Sequence, residues 1–129
     1  MPYAAISYRV KPGHDEEIAE IFAKFQQMPD PSLTHDDGSA AGRLRGTAVF
    51  VKDDIVVRVI HYDGDFAEVG KKVGRSAGTH LIEAELAPYL AEQRDTSTPQ
   101  GFAAYFRDAL MRCVSQLSED SIPTEDRHG

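Results

Sequence analysis

Polar and apolar residues alternate from Tyr3 to Val10, with Ala4, Ile6, Tyr8 and Val10 on one face and Tyr3, Ala5, Ser7 and Arg9 on the other. That is the two-residue period of a strand, and Lys11-Pro12-Gly13 stops it. Ile18, Ile21, Phe22 and Phe25 then recur at the spacing of one helical stripe. Asp15, Glu16 and Glu17 fall in the first turn of that helix, where carboxylates suit its positive end, and Met28-Pro29-Asp30-Pro31 ends it. Asp30 to Gly42 is polar and aperiodic, a long loop of the kind in which binding groups often sit. Strands are predicted at Leu44–Lys52 and Ile55–Tyr62, joined by the two-residue turn Asp53-Asp54 and closed at Asp63-Gly64. Phe66, Val69 and Val73 mark a short helix broken near Gly74 and Gly78. Thr79 is placed to cap a further segment carrying Leu81, Ile82, Leu86 and Leu90, with Pro88 kinking or ending it. Thr98-Pro99 is a cap followed by a first-turn proline, opening a helix with Phe102, Tyr105 and Phe106 on one face. Ala109 to Leu117 alternates tolerably as a strand and also continues a helix. The strand reading is adopted because it completes a β-α-β-β-α-β order.

That order, with the helices on one face of an antiparallel sheet, is a ferredoxin-like α+β plan. At 129 residues the chain suits one domain, expected over residues 1–117 with a flexible C-terminal tail over 118–129. The third strand is apolar on both sides, with Ile55, Val57 and Val59 opposite Val56 and Ile60. Helices cover one side only, so the other is expected to meet a second copy of the chain, two sheets face to face in a homodimer (a dimeric α/β barrel).

The formal net charge of −7 argues against nucleic acid as a partner, because phosphate binding needs a clustered basic face. The cations Arg43, Arg45, Lys71, Lys72 and Arg75 are scattered among more numerous acids. A single cysteine, Cys113, forms no internal disulfide and builds no cysteine-based zinc site. The chain enters its first strand without a basic and apolar leader, and no stretch approaches the roughly 18–20 apolar residues of a membrane span. A soluble cytoplasmic protein with no membrane partner is expected. No phosphate-cradling glycine loop, dinucleotide fingerprint or nucleophile elbow occurs, so any catalysis is expected to run without an ordinary nucleotide cofactor, or with one bound unconventionally.

Arg58 interrupts the most apolar strand and shares its face with Val56, Ile60 and Tyr62. An unpaired guanidinium is costly to bury, which leaves two readings. One is an ion pair with a core acid such as Glu83. The other is a fixed cation in a pocket between sheet and helices, placed to bind a phenolate or enolate oxygen. Among the five histidines, His14 and His128 suit solvated positions, while His61 at the end of the third strand and His80 at a helix start are candidate bases near neutral pH. His35, Asp36 and Asp37 match no standard metal-ligand spacing, and no metal is expected. Tyr8, Tyr62 and Tyr89 are the polar-tipped aromatics placed to line a pocket, with Tyr3 and Tyr105 as further core aromatics. Cys113 suits an inert buried thiol.

Several stretches, Tyr3-Ala4-Ala5-Ile6-Ser7-Tyr8-Arg9-Val10-Lys11-Pro12-Gly13, Gly46-Thr47-Ala48-Val49-Phe50-Val51, Val57-Arg58-Val59-Ile60, Pro88-Tyr89-Leu90 and Arg94-Asp95-Thr96, together resemble the SchA/CurD-like family of aromatic polyketide, spore-pigment-type clusters. The likeness covers all of the chain but the tail. A weaker similarity reaches the tetracenomycin-type polyketide cyclases, dimeric ferredoxin-like proteins with a pocket between sheet and helices. The resemblance implies a tailoring enzyme acting on a polycyclic aromatic polyketide, as a cofactor-independent monooxygenase hydroxylating a polyphenol. Its alternatives are a polyketide cyclase, or a non-catalytic accessory partner of a cyclase or oxygenase. Arg58 stands where those cyclases carry an inward polar residue. Being always protonated it is no base, so it is expected to hold an oxyanion, with His61 or His80 as the base.

Overall fold

The structure is a computed structural model and describes residues 2–24 and 30–117. Phe25, the Met28-Pro29 stop, His128 and the 118–129 tail lie outside the described residues. The chain runs β1 (Tyr3–Arg9), α1 (Asp15–Ala23), β2 (Ser32–Thr34), β3 (Ala40–Lys52), β4 (Ile55–Gly64), α2 (Phe66–Arg75), α3 (Ala77–Leu86), a 3₁₀ turn (Ala87–Tyr89) and α4 (Pro99–Ala109). The sheet is antiparallel in the order β1-β4-β3-β2.

The expected α+β architecture stands, with three corrections. Between Asp30 and Gly42 the chain is not all loop: Ser32–Thr34 pairs with the start of β3, which begins at Ala40. Leu33 is the reason, since a fully buried apolar side chain anchors this three-residue strand against the core. The second correction is at the other end. No strand forms over 109–117: α4 reaches Ala109, a single bridge joins Leu110 to Ile6, and Met111 N–H donates to Ala5 at 2.8 Å. Beyond that point Val114 and Leu117 stand 84% and 83% exposed, so no packing supports a ladder. The closing strand of the ferredoxin-like order is therefore not formed, and β2 takes the fourth place in the sheet. Third, Ser76 rather than Thr79 separates the middle helices. Its extended backbone ends α2, and its hydroxyl accepts from Thr79 N–H to cap α3. Leu81 consequently points outward, 58% exposed.

Other local signals hold. Thr98 caps α4 by accepting from Gly101 N–H at 3.0 Å, with Pro99 in the first turn. Asp53-Asp54 closes the β3–β4 hairpin, with Asp53 left-handed at φ 55°. Gly42 and Gly64 face each other in register with positive φ, and a Cβ on either would run into the opposite backbone, so both positions require glycine.

The side chains of β1 and β4 that face the helices build a core in two lobes. The first joins Ile6 and Ile60 to Leu33, Leu44, Val69, Val73, Phe102 and Phe106, under α2 and α4. The second joins Val10 and Val56 to Ile18, Ile21, Ile82, Leu86 and Leu90, under α1 and α3. Burying each such side chain contributes about 1.5–3 kcal/mol. On β4, Arg58 lies between Val56 of one lobe and Ile60 of the other; on β1, Tyr8 lies between Val10 and Ile6. The polar residues thus occupy the seam where the lobes meet.

The opposite face of the sheet bears Ala5, Val57 and Val59, Ala48 and Phe50 in cross-strand register, and the described chain places no helix over it. Phe50 is 59% exposed there. No helix among the described residues is long and apolar enough to cross a membrane.

Candidate functional site

The seam gathers Tyr8 from β1, Arg58 from β4, Glu83 from α3, Tyr105 from α4 and Arg94 from the irregular segment before α4. Glu83 does not pair with Arg58. Both of its carboxylate oxygens accept from Arg94, at 2.9–3.2 Å, in a pair only 12–13% exposed at either side chain. This corrects the expectation that Glu83 is the ion-pair partner of Arg58. The physical reason is reach: the segment returning from the 3₁₀ turn lays the planar Arg94 fork directly on the carboxylate, satisfying it bidentately.

Arg58 is left with an enclosed Nε that finds no hydrogen-bond partner among the described residues. Burial pulls its proton affinity down, opposed by the fields of Tyr8, Tyr105 and Glu83. It remains a cation, since a guanidinium keeps its proton in proteins. The Arg94 guanidinium stacks on two rings at once, 4.2 Å from the Tyr8 centroid and 3.9 Å from that of Tyr105. The rings meet edge to face at 6.3 Å. Burial pushes the Tyr8 phenol up to about 12 and raises that of Tyr105 as well, each against the lowering field of Arg94. Both are therefore neutral hydrogen-bond donors at physiological pH, not bases.

Two voids adjoin this cluster. A small one, about 20 Å³, touches Arg58, Tyr8, Thr79, Glu83, Arg94 and Tyr105. A larger cleft of about 390 Å³ opens outward beside the β1 edge and is lined by Ser7, Tyr8, Gln93, Arg94, Tyr105 and Asp108 among others.

Of the candidates drawn from sequence, Arg58 and Tyr8 come together at this seam. His61 lies on the opposite face of the sheet, stacked on Tyr3 at 4.5 Å. His80 is exposed on α3, turned away from Thr79, Ile82 and Glu83. Tyr62 shares the inner face but packs on Phe66 at 5.1 Å, within the first lobe. Tyr89 packs on His14 at 5.0 Å, so His14 is half-buried rather than solvated. Cys113 is exposed rather than buried. Sequence reasoning named Arg94 only within the Arg94-Asp95-Thr96 stretch of the family resemblance, and gave neither it nor Tyr105 a role in the site. The signal available was an arginine eleven positions beyond a glutamate on a predicted helix, which does not by itself mark a pair.

His35 is drawn not to Asp36 and Asp37 but to Asp65 and Glu68, at 3.9 and 3.7 Å. The three offer one ligand atom each within 4.8 Å. Asp65 already caps α2 through Ala67 N–H, and Glu68 accepts from Lys71 at 3.3 Å. Capping and ion pairing account for both acids without a metal.

Three relatives are similar to this chain over most of its length. It is 30% identical over 114 residues to "Polyketide synthase CurD" of Streptomyces cyaneus, a match spanning 88% of this chain and 29% of the relative. It is 33% identical over 110 residues to the "42.8 kDa protein in whiE locus" of Streptomyces coelicolor, covering 85% and 26%. To "Protein SchA" of Streptomyces halstedii it is 28% identical over 113 residues, covering 88% and 28%. The chain thus spans under a third of the length of these relatives. No solved structure matches it significantly. The match to the SchA/CurD like domain runs over residues 1–119, taking in every element that builds the seam, and the chain belongs to that family.

Proposed function

We propose that this chain is a tailoring enzyme of aromatic polyketide biosynthesis, in which Arg58 holds a phenolate or enolate oxygen of a polycyclic polyphenol. The observation that carries the reading is the enclosed Arg58 Nε, without a hydrogen-bond partner among the described residues, facing two neutral phenols across a small void. A fixed donor waiting for an anion, in surroundings poor in water, is how developing negative charge is stabilised. The family membership and the printed name of the Streptomyces cyaneus relative support the pathway class.

The reaction that fits best is cofactor-independent monooxygenation. An electron-rich polyphenolate passes one electron to O2, and the resulting pair recombines with formation of a C–O bond. The peroxide then loses water: one oxygen atom stays on the ring, the other leaves in water, and the electrons come from the substrate, which ends as a quinone. Tyr8 and Tyr105, as neutral donors, supply hydrogen bonds to the peroxide oxygens. The reading does not draw on His61 or His80.

The test is turnover of an anthrone-type polyphenol by purified protein under 18O2. Label in the product, lost in Arg58→Met, is the expected result. Unlabelled product formed equally well without oxygen would assign cyclisation instead. Product formed only with a second enzyme present would assign an accessory role.

We also propose that the uncovered sheet face packs against a second copy of the chain, supported by the row of Ala5, Val57, Val59, Ala48 and Phe50. Light scattering should give a dimer mass that Phe50→Glu converts to monomer. A wild-type monomer at micromolar concentration would refute it.

A further inference from the structure

The void at Arg58, about 20 Å³, has room for one water molecule and no more, whereas the outer cleft, about 390 Å³, falls in the range of ligand pockets. Tyr8, Arg94 and Tyr105 line both. Arg94 is the group that stands between them: its flat guanidinium sits in the corner made by the two edge-to-face phenol rings, against both of them, which is the place an aromatic ring of a ligand would take. It is held there by the Glu83 carboxylate, and its backbone belongs to a segment without helix or strand.

We infer that Glu83 is the general base of this site, masked by Arg94 and unmasked when an aromatic ligand bearing a phenol displaces the Arg94 side chain from its place against Tyr8 and Tyr105. The inference rests on the reading of Arg58 as the oxyanion holder. With Arg94 swung into the outer cleft, void and cleft form one site, and the ring enters with its hydroxyl toward Arg58 and Glu83. A buried carboxylate deprived of its cation is stabilised by accepting a proton. The phenol O–H supplies it: the O–H bond breaks, the proton moves to a Glu83 carboxylate oxygen, and the phenolate so formed pairs with Arg58. Charge is conserved at each stage. Glu83 and Arg94 neutralise each other before binding, and phenolate and Arg58 do so afterwards, with Glu83 neutral and Arg94 in solvent. The arrangement supplies the base that neither phenol provides, and it withholds that base until a ligand takes the place of Arg94.

The test uses 4-nitrophenol, whose anion is yellow and whose neutral form is not, at a pH low enough to keep the free probe neutral. Wild-type protein should develop the anion band on binding. Arg94→Ala should bind about tenfold more tightly, because the competent state no longer competes with the Arg94 side chain for its place against the rings. Glu83→Gln should bind the probe, detected by equilibrium dialysis, yet leave it colourless. An anion band that persists undiminished in Glu83→Gln overturns the inference, and so does weaker binding by Arg94→Ala than by wild type. Far-UV circular dichroism confirms folding of each variant, and Arg94→Gln, which can still bond Glu83, replaces Arg94→Ala if the latter is unfolded. Arg58→Met separates the two ideas: a probe still bound and ionised in that variant overturns the oxyanion role of Arg58 and leaves the assignment of Glu83 standing.

Discussion

Replacing Arg58 with methionine should stabilise the fold. Methionine follows the path of the arginine stem and suits a site between Val56 and Ile60, both fully buried. What is lost is a guanidinium whose Nε is enclosed without a hydrogen bond. Leaving such a group unsatisfied carries a desolvation penalty of about 1–3 kcal/mol, or more for a charge. No ion pair is broken in exchange, because Glu83 is engaged by Arg94. Relief of that penalty, offset by some lost stem packing, should raise stability by about 1–2 kcal/mol. For a domain of this size that is a rise of roughly 3–10 °C in Tm. Urea titration followed by circular dichroism measures it, with an unchanged m-value showing that the change lies in stability. Activity should fall at the same time, a stable and inactive variant being what a strained binding site yields on removal of its functional charge. A loss of about 3–5 kcal/mol would refute the reasoning, since that is what breaking a buried ion pair costs.

Glu83→Ala is the contrasting case: it strands the Arg94 guanidinium against two tyrosine rings without its carboxylate and should destabilise by about 3 kcal/mol in the same titration. Alkali should unfold the protein through Tyr8. Its folded phenol titrates at about 12 against an ordinary value of 10.0, so stability intact below pH 10 falls as pH rises toward 12, by about 3 kcal/mol for this group alone. Comparing wild type with Tyr8→Phe between pH 9 and pH 11.5 isolates that slope, and equal slopes would remove Tyr8 as its source. Asp53→Gly, at a left-handed turn position, should raise stability by about 1 kcal/mol, read as a higher urea midpoint.

Strands and helices were legible in the chain wherever the signal is local. The alternation in β1 and β4, the Asp53-Asp54 hairpin and the Thr98-Pro99 cap each depend on neighbours a few residues apart, and each is found. Segments whose state depends on a distant partner were misread. Ser32–Thr34 is a strand only because β3 lies beside it and Leu33 reaches the core, and 111–117 is not one because its apolar side chains Val114 and Leu117 find no core to enter. The same division runs through the site. Sequence alone determined that Arg58 shares an apolar face with Val56 and Ile60 and therefore needs either a partner or a ligand. Only the tertiary structure removed Glu83 from the first alternative, by pairing it with Arg94. Glu83, Arg94, Tyr8 and Tyr105 come from four separate segments, and the pairing of Glu83 with Arg94 follows from where a chain without regular structure returns over α3. Periodicity reports which face a side chain occupies, whereas the partner waiting on that face is set by packing between elements far apart in the chain.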